Sequence, residues 1–176
     1  MTLLLKQLFA FFKLLNSDTG TNQLAAGIAC GLILGFSPVL SLQTLLVFVL
    51  LFFFRIQIGA AFLAAFFFKF VAFIIDPLAH QIGSAALQAP GLQGLWTQLY
   101  NMPIVPYTRF NNSIVMGSGI LAIALTPVVF FVSKILIVKY RKTVVERFKQ
   151  TKLWKLVQAT YFYKWYAKYD ETFGSY

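Results

Sequence analysis

The chain of 176 residues is 59% hydrophobic and only 11% charged, and its 15 Lys and Arg against 5 Asp and Glu give a formal net charge of +10. Soluble domains carry about 25% charged residues, so the composition excludes an ordinary cytosolic enzyme. One cysteine, Cys30, and one histidine, His80, supply neither an internal disulfide nor a cluster of metal ligands, and we expect no metal and no cofactor.

Uncharged runs over residues 19–54 and 110–133 are typical of a bilayer interior. The sequence therefore predicts an all-α integral membrane protein with a membrane domain over residues 1–138. Its first element is a helix over residues 2–16, with Lys6 and Lys13 on one face. At about 22 Å this helix is too short to cross a hydrocarbon core of about 30 Å, so we expect it to lie along the interface.

Two apolar arms, residues 24–36 and 42–54, follow on either side of the break Ser37-Pro-Val-Leu-Ser41. Each arm is about 20 Å long and falls about 10 Å short of a crossing. This predicts a re-entrant helical hairpin over residues 24–54, with its tip inside the bilayer and covered by protein or water. Two short spans joined by a simple turn are the alternative.

The first arm carries three glycines at four-residue steps, which are Gly27, Gly31 and Gly35. Small residues at this spacing let a second helix approach closely. The second arm is the simplest partner for them.

Residues 58–75 predict a helix of about 27 Å, long enough to span. Asp76-Pro77 is a favourable N-cap and first-turn pair, so we expect it to end this helix and begin another. Residues 77–112, with four of the six prolines and several aromatic residues, predict an outer loop at the interface. A second spanning helix is predicted over residues 113–138, capped by Asn111-Asn112-Ser113 and interrupted by Thr126-Pro127.

Residues 139–176 form a basic, aromatic tail that predicts a cytoplasmic helix. With both termini cytoplasmic, 12 of the 15 basic residues lie inside and only Arg109 lies outside, as the positive-inside rule requires. A juxtamembrane tail of this sign favours anionic lipid or a docked partner protein over nucleic acid.

Lys69 is the most informative single residue, because an ionisable group inside a membrane segment usually faces the protein. Its helical face also carries small residues, and the members within about 80° are Ala61, Ala65, Lys69, Ala72 and Asp76. Lys69 lies about 21 Å beyond Arg55, at the expected level of the hairpin tip.

We therefore expect Lys69 to face the polar groups of the tip, which are Ser37, Ser41, Gln43 and Thr44, and the free N–H groups that begin the second arm. This positive arrangement suits an anion such as a lipid phosphate. The alternative is that Lys69 snorkels to the outer interface, while the tip groups satisfy the helix ends.

Asp76 and His80 are four residues apart and resemble an acid–base or ion-coupling pair, although capping by Asp76-Pro77 explains the aspartate. The sequence offers no second carboxylate, serine elbow or Cys–His pair beside them. We therefore predict that the protein is not an enzyme.

The run Ala26-Gly-Ile-Ala-Cys-Gly-Leu-Ile-Leu-Gly-Phe-Ser-Pro38, followed by Gln43-Thr44, Arg55 and Asp76-Pro77, resembles a bacterial inner-membrane family called domain of unknown function 2062. The resemblance covers about residues 23–87. Ser41 stands where the family pattern has Gly, and Gln57 and Asp76 stand where it has Asn. With these differences the chain resembles a divergent branch of the family. The resemblance implies a bacterial inner-membrane protein without an established activity. A similar branch occurs beside a gene for a larger envelope protein, which implies a membrane subunit for that partner.

The sequence predicts a non-enzymatic, multi-pass membrane protein that binds or passes phospholipid at the hairpin, and the resemblance implies that it is an inner-membrane subunit that anchors a larger envelope protein. The alternative is a small secondary transporter coupled through Lys69 and Asp76, with His80 as a further coupling group. Membrane lipids and the envelope protein are the expected partners, and the sequence does not decide whether the chain forms homo-oligomers.

Overall fold

A computed structural model describes residues 3–145, and every regular element within them is helical. The α-helices are α1 (Leu3–Leu15), α2 (Thr21–Phe36), α3 (Leu42–Phe53), α4 (Ile58–Gln88), α5 (Gln93–Tyr100) and α6 (Ser113–Tyr140). Short 3₁₀ turns lie at Pro90–Leu92 and Val105–Thr108, and a π-helical turn at Arg141–Val145 follows α6. The all-α prediction is confirmed for these residues, whereas the predicted tail helix beyond residue 145 lies outside them.

The chain divides into two compact units, residues 1–137 and 138–176. All of α1 to α5 and most of α6 belong to the first unit, which contains the apolar core. Of the second unit, the structure describes the last turn of α6 and the π-helical turn.

The break between α2 and α3 comes from the residues at its two ends. Ser37 is extended, as expected before a proline, and ends α2 with its N–H on the Ile33 carbonyl at 3.0 Å. Ser41 begins α3 as a side-chain N-cap, because its Oγ accepts from the Thr44 N–H at 3.2 Å. The two helices are 16 and 12 residues long, about 24 and 18 Å.

The three glycines of α2 pack against α4, so the prediction that they face the second arm is wrong. A Cβ placed on Gly27 would lie 2.9 Å from that of Ala60, and a Cβ on Gly35 would lie 2.7 Å from that of Phe68. Gly31 meets Ala64 in the same way. Since the contact positions rise together along both helices, α2 and α4 run parallel, with backbones so close that a Cβ on any of the three glycines would collide with α4.

Helix α4 continues through Pro77 to Gln88, so the prediction that Asp76-Pro77 ends it is wrong. A proline inside a helix removes one hydrogen bond and clashes with the preceding turn. Packing beyond it compensates: a Cβ on Gly83 would meet the Ser113 carbonyl, and a Cβ on Gly117 would meet that of Ala79. Because α4 and α6 touch at backbone level here, the helix persists where the local signal favoured a stop.

The predicted outer loop therefore starts as helix and contains further ordered turns. The indole N–H of Trp96 donates to the Ala86 carbonyl at 3.1 Å, and the Gln93 amide donates to that of Leu87 at 2.7 Å, so α5 closes the end of α4. Phe110 is buried beside Trp96. Asn112 caps α6, with its Oδ1 accepting from the Ile114 N–H at 2.9 Å.

Within the described residues, α4 and the helix over Ser113–Thr143 are long and apolar enough to cross a membrane. Only 22% and 17% of their most apolar windows are buried in the chain. A core helix of a soluble protein would be mostly buried, so these two helices have the surface expected beside lipid.

Helix α1 lies against the first half of α4. The rings of Phe11 and Phe67 are 6.2 Å apart, and Leu14 lies beside Gly59. The interfacial position predicted for α1 stays a prediction.

Candidate functional site

The polar side chains of the hairpin tip bond mainly to one another. Ser41 donates to Thr44 Oγ1 at 3.0 Å, and the Thr44 hydroxyl donates to the Pro38 carbonyl at 2.9 Å. Ser37, Ser41 and Thr44 are all buried. The Ser41 and Thr44 side chains therefore satisfy groups at the helix ends, as the alternative interpretation of the sequence expected, whereas Ser37 Oγ does not.

The apolar residues of the tip point the other way. Val39 is 84% exposed and Leu40 is 76% exposed. Exposing two such side chains to water forgoes about 1.5–3 kcal/mol each. The outer surface of the tip is thus suited to contact with lipid or with another protein.

Gln43 connects the tip to α6. Its Nε2 donates to the Val115 carbonyl at 3.4 Å, and a Cβ on Gly119 would collide with this amide. Two buried polar atoms of the tip, Ser37 Oγ and Gln43 Oε1, have no partner among the described residues. The sequence named Gln43 as a candidate but offered no signal for its contact with α6.

Lys69 lies level with the tip, but its side chain is exposed, so the prediction that it points into the protein is wrong. A Cβ on Gly35 would lie 3.2 Å from the Lys69 backbone nitrogen, and the rings of Phe36 and Phe68 are 6.4 Å apart. Because the backbones of α2 and α4 touch at this point, no room remains between the two helices for the lysine side chain. The side chain therefore lies outside their contact. Lys69 forms no hydrogen bond or ion pair with the tip within residues 3–145.

One side of α4 stays uncovered between the contacts with α1 and with α2. Five residues on this side lie within about 60° of one another around the helix axis, at about 100° per residue. We call them the open face of α4, and they are Phe62, Lys69, Phe73, Asp76 and His80. Phe62, Lys69, Phe73 and His80 are exposed, and Asp76 is half-buried.

The structure separates the three ionisable residues of this face. His80 is held by α6, since its Nδ1 lies 2.7 Å from Ser113 Oγ. Asp76 lies inside α4 rather than at a cap and forms no ion pair among the described residues. It follows Lys69 by two helical turns, about 10.5 Å along the axis. The sequence interpretation missed Ser113, because a contact between residues 33 apart leaves no local signal.

A shallow hollow of about 340 Å³ lies where α4, α5 and the turn before α6 meet. Aromatic and neutral polar side chains line it, which are Leu87, Trp96, Thr97, Tyr100, Asn101, Phe110 and Asn111. This lining contains no carboxylate, lysine, arginine or histidine.

Over residues 3–145 these features define a class: an all-helical protein with two helices long and apolar enough to cross a membrane, and with a pair of shorter apolar helices beside them. Residues 6–145 match the sequence model of the family described as uncharacterized protein conserved in bacteria (DUF2062). The chain belongs to this family, as the resemblance predicted.

An uncharacterized protein of Treponema pallidum (strain Nichols) is 34% identical to the chain over 122 residues. The alignment covers 69% of this chain and 75% of that protein. No solved structure matches.

Proposed function

We propose that this protein is a non-enzymatic subunit of the bacterial inner membrane that binds a lipid phosphate at Lys69 and anchors a larger envelope protein. In this proposal α4 and α6 span the bilayer, and both termini are cytoplasmic. The α2–α3 hairpin enters from the cytoplasmic side and ends near half depth. The distribution of basic residues supports the orientation.

The relative lengths of the helices support the half-depth ending. α2 ends beside Lys69, whereas α4 continues for 19 more residues, about 28 Å. Counted from Ile58 at the start of α4, Lys69 lies about 16 Å along the helix, close to half of a hydrocarbon core of about 30 Å. The ammonium group is then too far from either surface for the side chain to reach it comfortably.

The observation that carries the proposal is this exposed lysine, unpaired among the described residues and level with the hairpin tip. A lysine at the centre of a membrane helix costs about 2.5–3.5 kcal/mol on insertion scales, so it pairs where it can. Asp18 and Asp76 are the two carboxylates among residues 3–145, and neither pairs with it. A lipid phosphate is anionic and abundant in the membrane, and in this proposal a headgroup moves inward from the interface along the open face of α4 to reach Lys69.

We expect the Lys69→Met variant to lose its tightly bound phospholipid, by at least about tenfold, because the hydrogen bond to a charged group disappears. Methionine is unbranched, keeps most of the side-chain length and suits a membrane helix, so the fold should survive. The measurement is phospholipid per protein after purification in mild detergent, by mass spectrometry. Lys69→Arg, which keeps the charge, is the matched control and should retain lipid.

Equal lipid in wild-type protein and Lys69→Met would remove the phosphate site. That result would favour the transporter alternative, since Lys69 and Asp76 lie on one open face without partners among the described residues. Ion-gradient-dependent uptake into proteoliposomes, lost on mutation of either residue, is the result it requires.

The anchoring role is supported by the resemblance, which implies a membrane subunit for a larger envelope protein. We expect a larger envelope protein to copurify with the tagged chain from its native membrane in mild detergent. An unrelated tagged membrane protein, purified in the same way, should not recover it. Recovery of the chain without any larger protein from native membranes would contradict the anchoring role.

A further inference from the structure

We infer that Lys69 and Asp76 together select a zwitterionic headgroup, with the phosphate at Lys69 and an ammonium group, as in phosphoethanolamine, at Asp76. This inference rests on the proposed phosphate site. It adds the class of lipid that the site prefers.

The geometry of the open face supports a two-point contact. Both residues lie on it, two helical turns apart, so their Cα atoms are separated by about 10.5 Å along the axis. Lys69 has a flexible four-carbon stem, so its ammonium group can adopt the separation from the Asp76 carboxylate that a ligand requires. Two charge-assisted hydrogen bonds, one to Lys69 and one to Asp76, occupy about 5–6 Å of the axial separation. About 5 Å remains after these bonds, a distance that the two-carbon link between phosphate and ammonium can bridge.

The charges point to the same ligand. Lys69 is exposed and Asp76 is half-buried, and neither has an ion partner among residues 3–145. The neighbouring His80 is engaged by Ser113 of α6. A zwitterion supplies a counter-charge to both Lys69 and Asp76 and brings no net charge into the membrane. An anionic phosphoglycerol headgroup would satisfy Lys69 through the same phosphate, but it would present only neutral hydroxyl groups to Asp76 and leave that carboxylate without a counter-charge.

The test measures which lipid the full chain retains from vesicles containing equal amounts of phosphatidylethanolamine and phosphatidylglycerol. We expect wild-type protein, extracted in mild detergent, to be enriched in phosphatidylethanolamine relative to the vesicle. In Asp76→Asn the bound ratio of the two lipids should fall about tenfold, the factor expected for one hydrogen bond to a charged group. Asp18→Asn is the control, because Asp18 lies in the exposed loop between α1 and α2 and should leave the ratio unchanged.

A second measurement leaves the protein unaltered, which guards against misfolding of Asp76→Asn. Phosphatidylethanolamine is replaced by its N-acylated form, which keeps the phosphate but lacks the ammonium group. We expect wild-type protein to lose its preference over phosphatidylglycerol.

The outcomes separate the two proposals. If Lys69→Met loses lipid but Asp76→Asn keeps the wild-type ratio, the phosphate site stands and the zwitterion inference is overturned. Wild-type protein that prefers phosphatidylglycerol, or that retains its preference for the N-acylated lipid, also overturns it. If Lys69→Met keeps both the amount and the ratio of lipid, the proposed function fails together with this inference.

Discussion

Gly83→Ala should destabilise the protein by about 3 kcal/mol, a large loss for one added methyl group. A Cβ at this position would meet the Ser113 carbonyl oxygen and the Gly117 nitrogen. Overpacking of a core costs about 1–3 kcal/mol and occasionally more. The upper value is expected because backbone atoms cannot rotate away as a side chain can, so the two helices must separate. The measurement is the thermal unfolding midpoint in detergent.

Gly59→Ala is the matched control, since it adds the same methyl group to the same helix. Its Cβ would lie 3.7 Å from Leu14, which is ordinary contact distance. Gly94→Ala in α5 is a second control, with nothing among the described residues within 4 Å of the added atom. Both should melt at or slightly above the wild-type temperature, because alanine favours helix over glycine. A Gly83→Ala protein that melts with these controls would show that α4 and α6 are not in backbone contact.

The helix ends that could be predicted are those fixed by adjacent residues. Ser37 before Pro38 ends α2, Ser41 begins α3, and Asn112 begins α6, each through backbone preferences or bonds that reach only a few residues. Such helix ends can be predicted because the residues that determine them are all close together in the sequence. The same local reasoning failed at Pro77, because the contact that keeps α4 helical joins Gly83 to a segment about 30 residues away.

The partner of the α2 glycines could not be predicted for a related reason. Three small residues at four-residue steps indicate that some helix approaches, but they contain no information about which one. The second arm was nearest in sequence. In the structure α4 supplies the matching small residues, Ala60 and Ala64, and runs parallel to α2.

Lys69 illustrates the limit of a helical-wheel argument. Its neighbours on the wheel, Ala61 and Ala72, are buried as predicted, but the edge between the covered and uncovered surface runs between them and the lysine. A helical wheel that only groups residues within about 80° of one another cannot show where such an edge lies. The level of Lys69 beside the end of α2 was predictable because helix rise is constant, whereas its direction depends on how closely Gly35 approaches the backbone.

Val39→Cys should remain near background labelling with a membrane-impermeant maleimide added from either side of the membrane, in a Cys30→Ala background. The reason is the half-depth ending proposed for the hairpin, since Val39 is 84% exposed on the chain and only surrounding lipid or protein would shield it from reagent. The measurement is labelling of right-side-out and inverted vesicles.

Two exposed positions provide the reference for this experiment. Asn22→Cys, at the base of the hairpin, should label from the cytoplasmic side, and Tyr107→Cys, in the turn before α6, from the opposite side. If α2 and α3 were instead two short membrane spans, Val39 would lie on the same side of the membrane as Tyr107. Cysteines at both positions would then label from that side. That pattern would place the hairpin tip in water and Lys69 near a membrane surface, where a lone lysine needs no lipid phosphate to neutralise it. The level of the tip therefore decides whether Lys69 needs a ligand.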